Sequence, residues 1–221
     1  MRSRRQEILD AALALADERG LDAVSMRAVA ERTGVTPMAL YPHVGSKAAL
    51  LDGMVGSLLA ELPVPHSAGK DWRDRLRALT RSARALTHRH PWASTLLFSR
   101  PAVTPDAVRV VEQIYAALLD ADVPAPQVPR LERLVSTVIL GFAASEAGGR
   151  FAAAARPGPR GRFTAPHAGA LPAHATLARW LCRPVDWDAE FDADVDDMLR
   201  LIEMAASGQG SRQAGRAGSP R

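Results

Sequence analysis

The sequence predicts an all-α protein with an N-terminal helix-turn-helix unit and a larger helical body. Three observations carry this. Hydrophobic residues make up 47% of the chain but aromatics only 5%, and the excess is Ala and Leu, which are strong helix formers. Runs of alternating Val, Ile, Thr and Tyr, the strand signal, are missing. Capping residues recur just ahead of stretches with apolar positions three and four apart.

The elements follow in order. Ser3 caps a first helix, with Gln6 three residues on, and Ile8, Ala12, Leu15, Ala16 and Arg19 share a face. Gly20 is placed to end it as a left-handed cap. Ser25 caps a short second helix with Met26, Val29 and Ala30 inward, closed by Gly34. Thr36 caps a third, with Pro37 at the first helical position, where a missing N–H costs nothing. Gly45 breaks the chain, and Ser46 caps a fourth helix with Leu50, Leu51, Met54, Leu58 and Leu62 at core spacing. These elements form a compact unit over residues 1–62, followed by a linker, Pro63 to Gly69.

A body over residues 70–206 repeats the pattern with longer helices. Asp71 caps a helix whose stripe is Trp72, Leu76, Leu79, Ala83 and Leu86, ending at Pro91. A short segment runs from Trp92 to Phe98. Thr104-Pro105 opens a helix with Val108, Val111, Ile114, Tyr115 and Leu118 apolar. Pro124, Pro126 and Pro129 mark a break, and a strongly periodic helix is expected from Arg130 to about Ala155. Residues 156–173 read as a loop, Leu177–Leu181 as a short turn, and residues 190–206 as a last helix with Phe191, Val195, Met198, Ile202 and Ala205 on one stripe. The Gly/Ser/Gln/Arg-rich tail, 207–221, is expected to be disordered.

Composition excludes several classes. The single Cys182 leaves no internal disulfide framework and no Cys-cluster zinc site. No stretch approaches the ~18 apolar residues of a membrane span, and the first turns are charged, so a cytoplasmic protein without membrane association is expected. There is no G-x-S-x-G, P-loop or H-E-x-x-H motif, and no cofactor or metal is implied. The net charge of +4 permits a nucleic-acid partner without demanding one. Residues 1–62 hold seven basic and eight acidic groups, so any DNA contact there must come from local placement.

The informative stretch runs from Ser25 to Leu51. It is helix, Gly turn, short capped helix: a helix-turn-helix. Val29, Ala30, Val35 and Leu40 can fill the wedge between the pair. The second helix then turns Thr36, Pro37, Met38, Ala39, Tyr41 and His43 outward for a DNA major groove.

This stretch resembles the DNA-binding domain of TetR-family transcriptional regulators over about residues 3–55. The resemblance rests on the capped first helix, Ser25, Thr33-Gly34-Val35, Leu40-Tyr41, His43-Val44, Ser46-Lys47 and Leu50-Leu51. Residues 71–145 more weakly resemble the tetracycline-repressor-like ligand-binding and dimerisation domain, through Asp71-Trp72-Arg73, His90-Pro91-Trp92 and Leu140-Gly141-Phe142. The resemblance implies an all-α homodimer that holds a near-palindromic double-stranded operator, generally as a repressor, and releases it when a small ligand enters the body. It implies that Lys47 contacts a phosphate; independently, an ammonium beside helix-start N–H groups suits an anion. Arg27 is placed for another phosphate. Thr36 offers a hydroxyl to phosphate or base, with capping as the plainer role. Tyr41 and His43 match backbone-contacting positions, and Met38 and Ala39 can meet a thymine methyl.

The sequence departs from the family pattern in places. Pro42 is expected to truncate the recognition helix near Tyr41. No Arg, Asn or Gln lies in 36–41, so readout leans on DNA shape and on an arm of Arg2, Arg4 and Arg5, whose alternative is a solvated start. The family's drug-contacting histidine aligns to Pro63. For the ligand, Trp92, Phe98, Arg100, Tyr115, Phe142 and Glu146 are the candidate pocket, with ordinary core as the alternative. His88 and His90 read as structural. The arginines at 73, 75, 77, 81 and 84 read as a solvated face, with proximity to DNA as the alternative, and the acids of 186–197 as an exposed helix start. Two other functions stay open: a DNA-binding dimer without a ligand, which needs a solid core, and a helical-bundle enzyme, which needs convergent titratable groups in a cavity.

Overall fold

The computed structural model describes residues 3–62, 71–151, 171–181 and 183–207. Ten α-helices are described: α1 Arg4–Arg19, α2 Met26–Arg32, α3 Pro37–Val44, α4 Lys47–Ala60, α5 Trp72–Arg89, α6 Ala93–Ser99, α7 Pro105–Asp120, α8 Val128–Ala147, α9 Pro172–Leu181 and α10 Trp187–Ser207. Two 3-10 turns, Leu21–Ala23 and Ala125–Gln127, join them, and no strand occurs among the described residues. None of these helices is long and apolar enough to cross a membrane. The expected linker, most of the 156–173 loop, Cys182, Arg2 and the tail beyond Ser207 lie outside the described residues.

The caps form where the sequence places them. The hydroxyls of Ser3, Ser25, Ser46 and Thr104 accept from the N–H groups of Gln6, Ala28, Ala49 and Ala107, and Asp71 accepts from Arg73. The Gln6 side chain does not complete a capping box; it donates to Asp10 instead. Gly20 ends α1 at φ +81°, but its ψ of 165° is extended rather than left-handed helical, which sends the chain into the first 3-10 turn.

Three boundaries differ from expectation. Pro129 opens α8 within its first turn rather than preceding it, since its ring already has a helical φ. The same helix stops at Ala147, not near 155, because Gly148 and Gly149 follow and Gly149 takes a φ of +73°. Where a short turn was expected before the last helix, α9 forms, beginning at Pro172 with the Thr176 hydroxyl donating to the Pro172 carbonyl. The last helix also starts earlier, at Trp187, because the Asp186 carboxylate accepts from the N–H groups of Asp188 and Ala189.

One continuous apolar core runs through the molecule, and α4 lies in its middle. The helix packs on α1 and on α7. Two glycines make this possible. A Cβ on Gly53 would stand 2.6 Å from Leu9 Cδ2, and one on Gly56 would stand 2.6 Å from Thr104 Oγ1 and 3.1 Å from Thr104 Cβ. Leu9 ends in a flexible methyl that can move aside. Thr104 is short, branched and already capping α7, so it cannot.

The arginines of α5 are paired rather than free in solvent: Arg81 stays exposed, while Arg75 and Arg84 are largely covered. Arg73 pairs with Glu203 (2.7 Å), Arg77 with Asp196 (2.9 Å), Arg81 with Asp192 (3.0 Å) and Arg84 with Asp188 (2.8 Å), all on α10. Their four-residue spacing, Arg73 to Arg77 to Arg81, matches that of Asp192 and Asp196 on an antiparallel neighbour, so the two runs zip together. Arg75 turns the other way and is buried against Asp120. Arg84 also donates to both oxygens of Glu146, at 3.0 and 2.6 Å, and lies over the rings of Phe142 and Phe191. His88 Nε2 lies 2.7 Å from the same carboxylate. The Arg84 guanidinium, and after it His88, hold the Glu146 carboxyl below the ordinary glutamate range despite its burial.

Two predictions follow from this packing. Gly56→Ala overpacks the α4–α7 contact and lowers stability by about 1–3 kcal/mol, read from the denaturant midpoint. Glu146→Gln lowers stability by about 1–2 kcal/mol at neutral pH. Because the folded carboxyl has the lower affinity for protons, its contribution is present above the ordinary value of 4.5 and is lost as pH falls below it. The variant's acid denaturation profile is therefore flatter than the wild type's in that window.

Candidate nucleic-acid interface and ligand cavity

The helix-turn-helix is assembled around four apolar side chains. Val29, Ala30 and Leu40 are buried and Val35 packs half-buried beside them. Gly34, at φ +69°, supplies the turn, and the Val35 N–H reaches back to the Ala30 carbonyl at 3.0 Å. Arg32 grips both oxygens of Glu18 at 2.6 Å and so ties α2 to α1; the guanidinium holds the Glu18 carboxyl below its usual range.

Only Leu40 and Val44 of α3 are buried. Every sequence-derived DNA candidate is exposed: Arg27, Thr36, Pro37, Met38 (75%), Ala39, Tyr41 (44%), His43 and Lys47. Thr36 sits at the N-cap, yet its hydroxyl makes no cap bond and stays available. Pro42 does not truncate α3 near Tyr41. The helix runs on to Val44, since the ring lies on the exposed side and the turn closes through Gly45 N–H donating to the Tyr41 carbonyl at 2.8 Å. Arg4 and Arg5 are not a free arm but the first residues of α1, with Arg4 paired to Glu7. Among the described residues neither Arg27 nor Lys47 has a carboxylate partner; they stand at the starts of the helices before and after α3.

The six residues expected to line a ligand pocket are not brought together. Trp92 donates from Nε1 to Asp17 of α1 at 2.7 Å. Phe98 is 57% exposed and Tyr115 packs half-buried on the core. Phe142 sits in an aromatic cluster with Phe151 and Phe191, and Glu146 is engaged by Arg84 and His88. Arg100 alone of the six lines the apolar cavity. That cavity, of about 220 Å³, is walled by Val55 and Leu59 of α4, Leu79 of α5, Leu97 of α6, Ile114 of α7 and Ile139 of α8. Its polar lining is Arg100, Glu132 and Ser136. Glu132 and Ser136 were legible in principle: they lie one residue after Leu131 and Val135, so they border the buried stripe of α8.

Arg100 couples this cavity to α4. Its Nε donates to Asp52 at 2.6 Å and its Nη2 to the Ala48 carbonyl at 3.1 Å, one residue from Lys47. Further ties join α1 and α4 to the body. Asp17 accepts from Trp92 and faces His90 Nδ1 at 2.7 Å, and Glu61 accepts from Arg89 at 2.8 Å. Histidines 88 and 90 are thus both structural in their contacts, and no group of three metal-ligating side chains occurs among the described residues.

Residues 8–54 match the model for bacterial regulatory proteins of the tetR family, and residues 64–202 match the tetracyclin repressor-like C-terminal domain. The chain belongs to the TetR family. Among its relatives is an HTH-type transcriptional regulator of Saccharopolyspora erythraea, 32% identical over 142 residues, or 64% of this chain and 60% of that protein. The HTH-type transcriptional repressor DrrR1 of Streptomyces coeruleorubidus is 31% identical over 63% of this chain and 52% of its own length. The matched segment thus spans only a little over half of these curated relatives. The fold is also that of the Streptomyces coelicolor TetR family protein ActR, solved in complex with actinorhodin, at a TM-score of 0.81 and 23% identity over 93% of this chain and 99% of that one.

Proposed function

We propose that this TetR-family member is a cytoplasmic, dimeric transcriptional repressor that leaves its operator when a small molecule fills the cavity beside α4. The observation that carries this reading is the double role of α4: it bears Lys47 at its start and forms one wall of the cavity with Val55 and Leu59. Residues 1–62 serve as the DNA-binding head, and 70–206 as the ligand-binding and dimerising body.

In the head, α3 lies in the major groove with Met38, Ala39, Tyr41 and His43 toward the DNA, while Lys47 and Arg27 meet phosphates and Thr36 offers its free hydroxyl. One short helix makes few base contacts, so two heads about one helical turn (~34 Å) apart must bind together. The second copy is supported by the apolar surface left on the body. Leu201 and Met204 of α10 and Leu177, Trp180 and Leu181 of α9 are exposed, more than a lone chain should show to solvent.

A ligand entering the cavity displaces Val55 and Leu59 or draws Arg100 away from Asp52 and Ala48. Either event moves α4 and changes the separation of the heads. A coupling of ~1–3 kcal/mol weakens operator binding ~5–150-fold. The existence of a cavity favours this over a DNA-binding dimer with a solid body. The name of the ActR complex with actinorhodin and the tetracycline repressors among the relatives support a ligand-gated mode.

Footprinting of the purified protein on the intergenic DNA upstream of its own gene should show a protected near-palindrome that a member of a small-molecule panel erases. Failure to protect any such duplex would refute the reading. Lys47→Ala should weaken binding to all duplex sequences alike and reduce the slope of log affinity against log salt by about one unit; an unchanged slope would remove Lys47 from the phosphate contacts.

A further inference from the structure

We infer that the molecule this cavity accepts is a one- or two-ring apolar compound bearing an ammonium or similar cationic group, and that Glu132 is its anchor. The inference rests on the proposal that the chain is ligand-responsive and adds the chemical class.

Glu132 differs from the other half-buried carboxylates. Asp52, Asp106, Glu146, Asp196 and Glu203 each face an arginine. The remaining one, Asp10, sits on α1 away from the cavity and accepts from Gln6. Among the described residues Glu132 has no cation; it accepts only from the Ser136 hydroxyl, at 2.7 Å. A carboxylate has two oxygens and about four acceptor sites, so one hydroxyl leaves most of it unfilled. Around it, the cavity is walled by Leu, Ile, Val and Ala apart from Arg100 and Ser136. Arg100, the one cation on the lining, is committed to Asp52 and to the Ala48 carbonyl. An anionic visitor would have to break that pair, whereas a cationic visitor finds an open acceptor.

Size narrows the class further. A dry apolar cavity of about 150 Å³ holds benzene, so about 220 Å³ takes a body of up to two fused rings with a short arm. Seated there, the ring contacts Val55 and Leu59 while the cation sits on Glu132. The same molecule thereby touches α4 and α8 at once.

The test uses the full-length protein and three shape-matched probes: 2-(1-naphthyl)ethylammonium, 1-naphthaleneacetate and 1-ethylnaphthalene, titrated calorimetrically and, separately, against operator binding. The ammonium probe should bind at least tenfold more tightly than the other two. Glu132→Gln should abolish that preference by cutting its affinity about tenfold while leaving 1-ethylnaphthalene unchanged. A carboxylate that binds as tightly as the ammonium, an ammonium affinity indifferent to Glu132→Gln, or binding of none of the three would overturn the inference. Should the variant not fold, judged by its thermal melt, the wild-type ranking of the three probes decides alone. The two proposals separate cleanly. A neutral or anionic probe that binds and releases DNA sinks the cationic class and leaves ligand response standing. An ammonium probe that binds through Glu132 without releasing DNA does the opposite.

Discussion

The close seating of α4 between α1 and α7 is the constraint on which the rest of the structure depends. Gly53 brings it against Leu9 of α1, and Gly56 brings it against Thr104 at the start of α7. One helix therefore packs both on α1 and α3 and on α6 and α7, the last two of which help to wall the cavity. Close-packed interiors move as units rather than deforming smoothly. Val55 and Leu59 on the cavity side and Gly53 on the α1 side lie within two turns of this one helix. The Arg100 bonds to Asp52 and Ala48 add a polar hold near the opposite end of the same helix from Glu61.

Charge placement leaves a basic face on residues 1–62 although they hold more acids than bases. Asp17, Asp52 and Glu61 are turned toward the body, where Trp92, His90, Arg100 and Arg89 meet them. Glu7 and Glu18 are absorbed by Arg4 and Arg32. Lys47 and Arg27 are left unopposed on either side of α3 in sequence. Five of the eight acids thus serve as fasteners, and they add little to the local field at α3.

Much of this was legible in the sequence. Ser3, Ser25, Ser46, Asp71 and Thr104 announced their helices because a short polar side chain before an apolar period has a single strong use. The helix-turn-helix was equally plain, since Gly34 and the apolar wedge fix its geometry locally. Part of what failed depended on partners far along the chain. A run of arginines on α5 reads as a solvated face until α10 supplies acids at the same spacing, more than a hundred residues later. Of the aromatic residues chosen for a pocket, Trp92, Tyr115 and Phe142 were spent on other contacts and Phe98 faces solvent, and the cavity is lined instead by aliphatic side chains that single-chain periodicity cannot tell from core. Pro42 was read by the usual rule for helix interiors, which the exposed setting of a short helix relaxes.

The near-absence of lysine gives this molecule an unusual chemical simplicity. Of 28 basic residues only Lys47 and Lys70 carry a primary amine on the side chain, and Lys47 is exposed at the N-terminal turn that adjoins the probe helix. Acylation, whether by an enzyme or by a reagent at the bench, thus has only two side-chain amines to act on, and Lys47 is the one exposed at the start of α4. A single acetyl group there erases a positive charge without disturbing any packed side chain. The arginines of the body remain inert to the same chemistry.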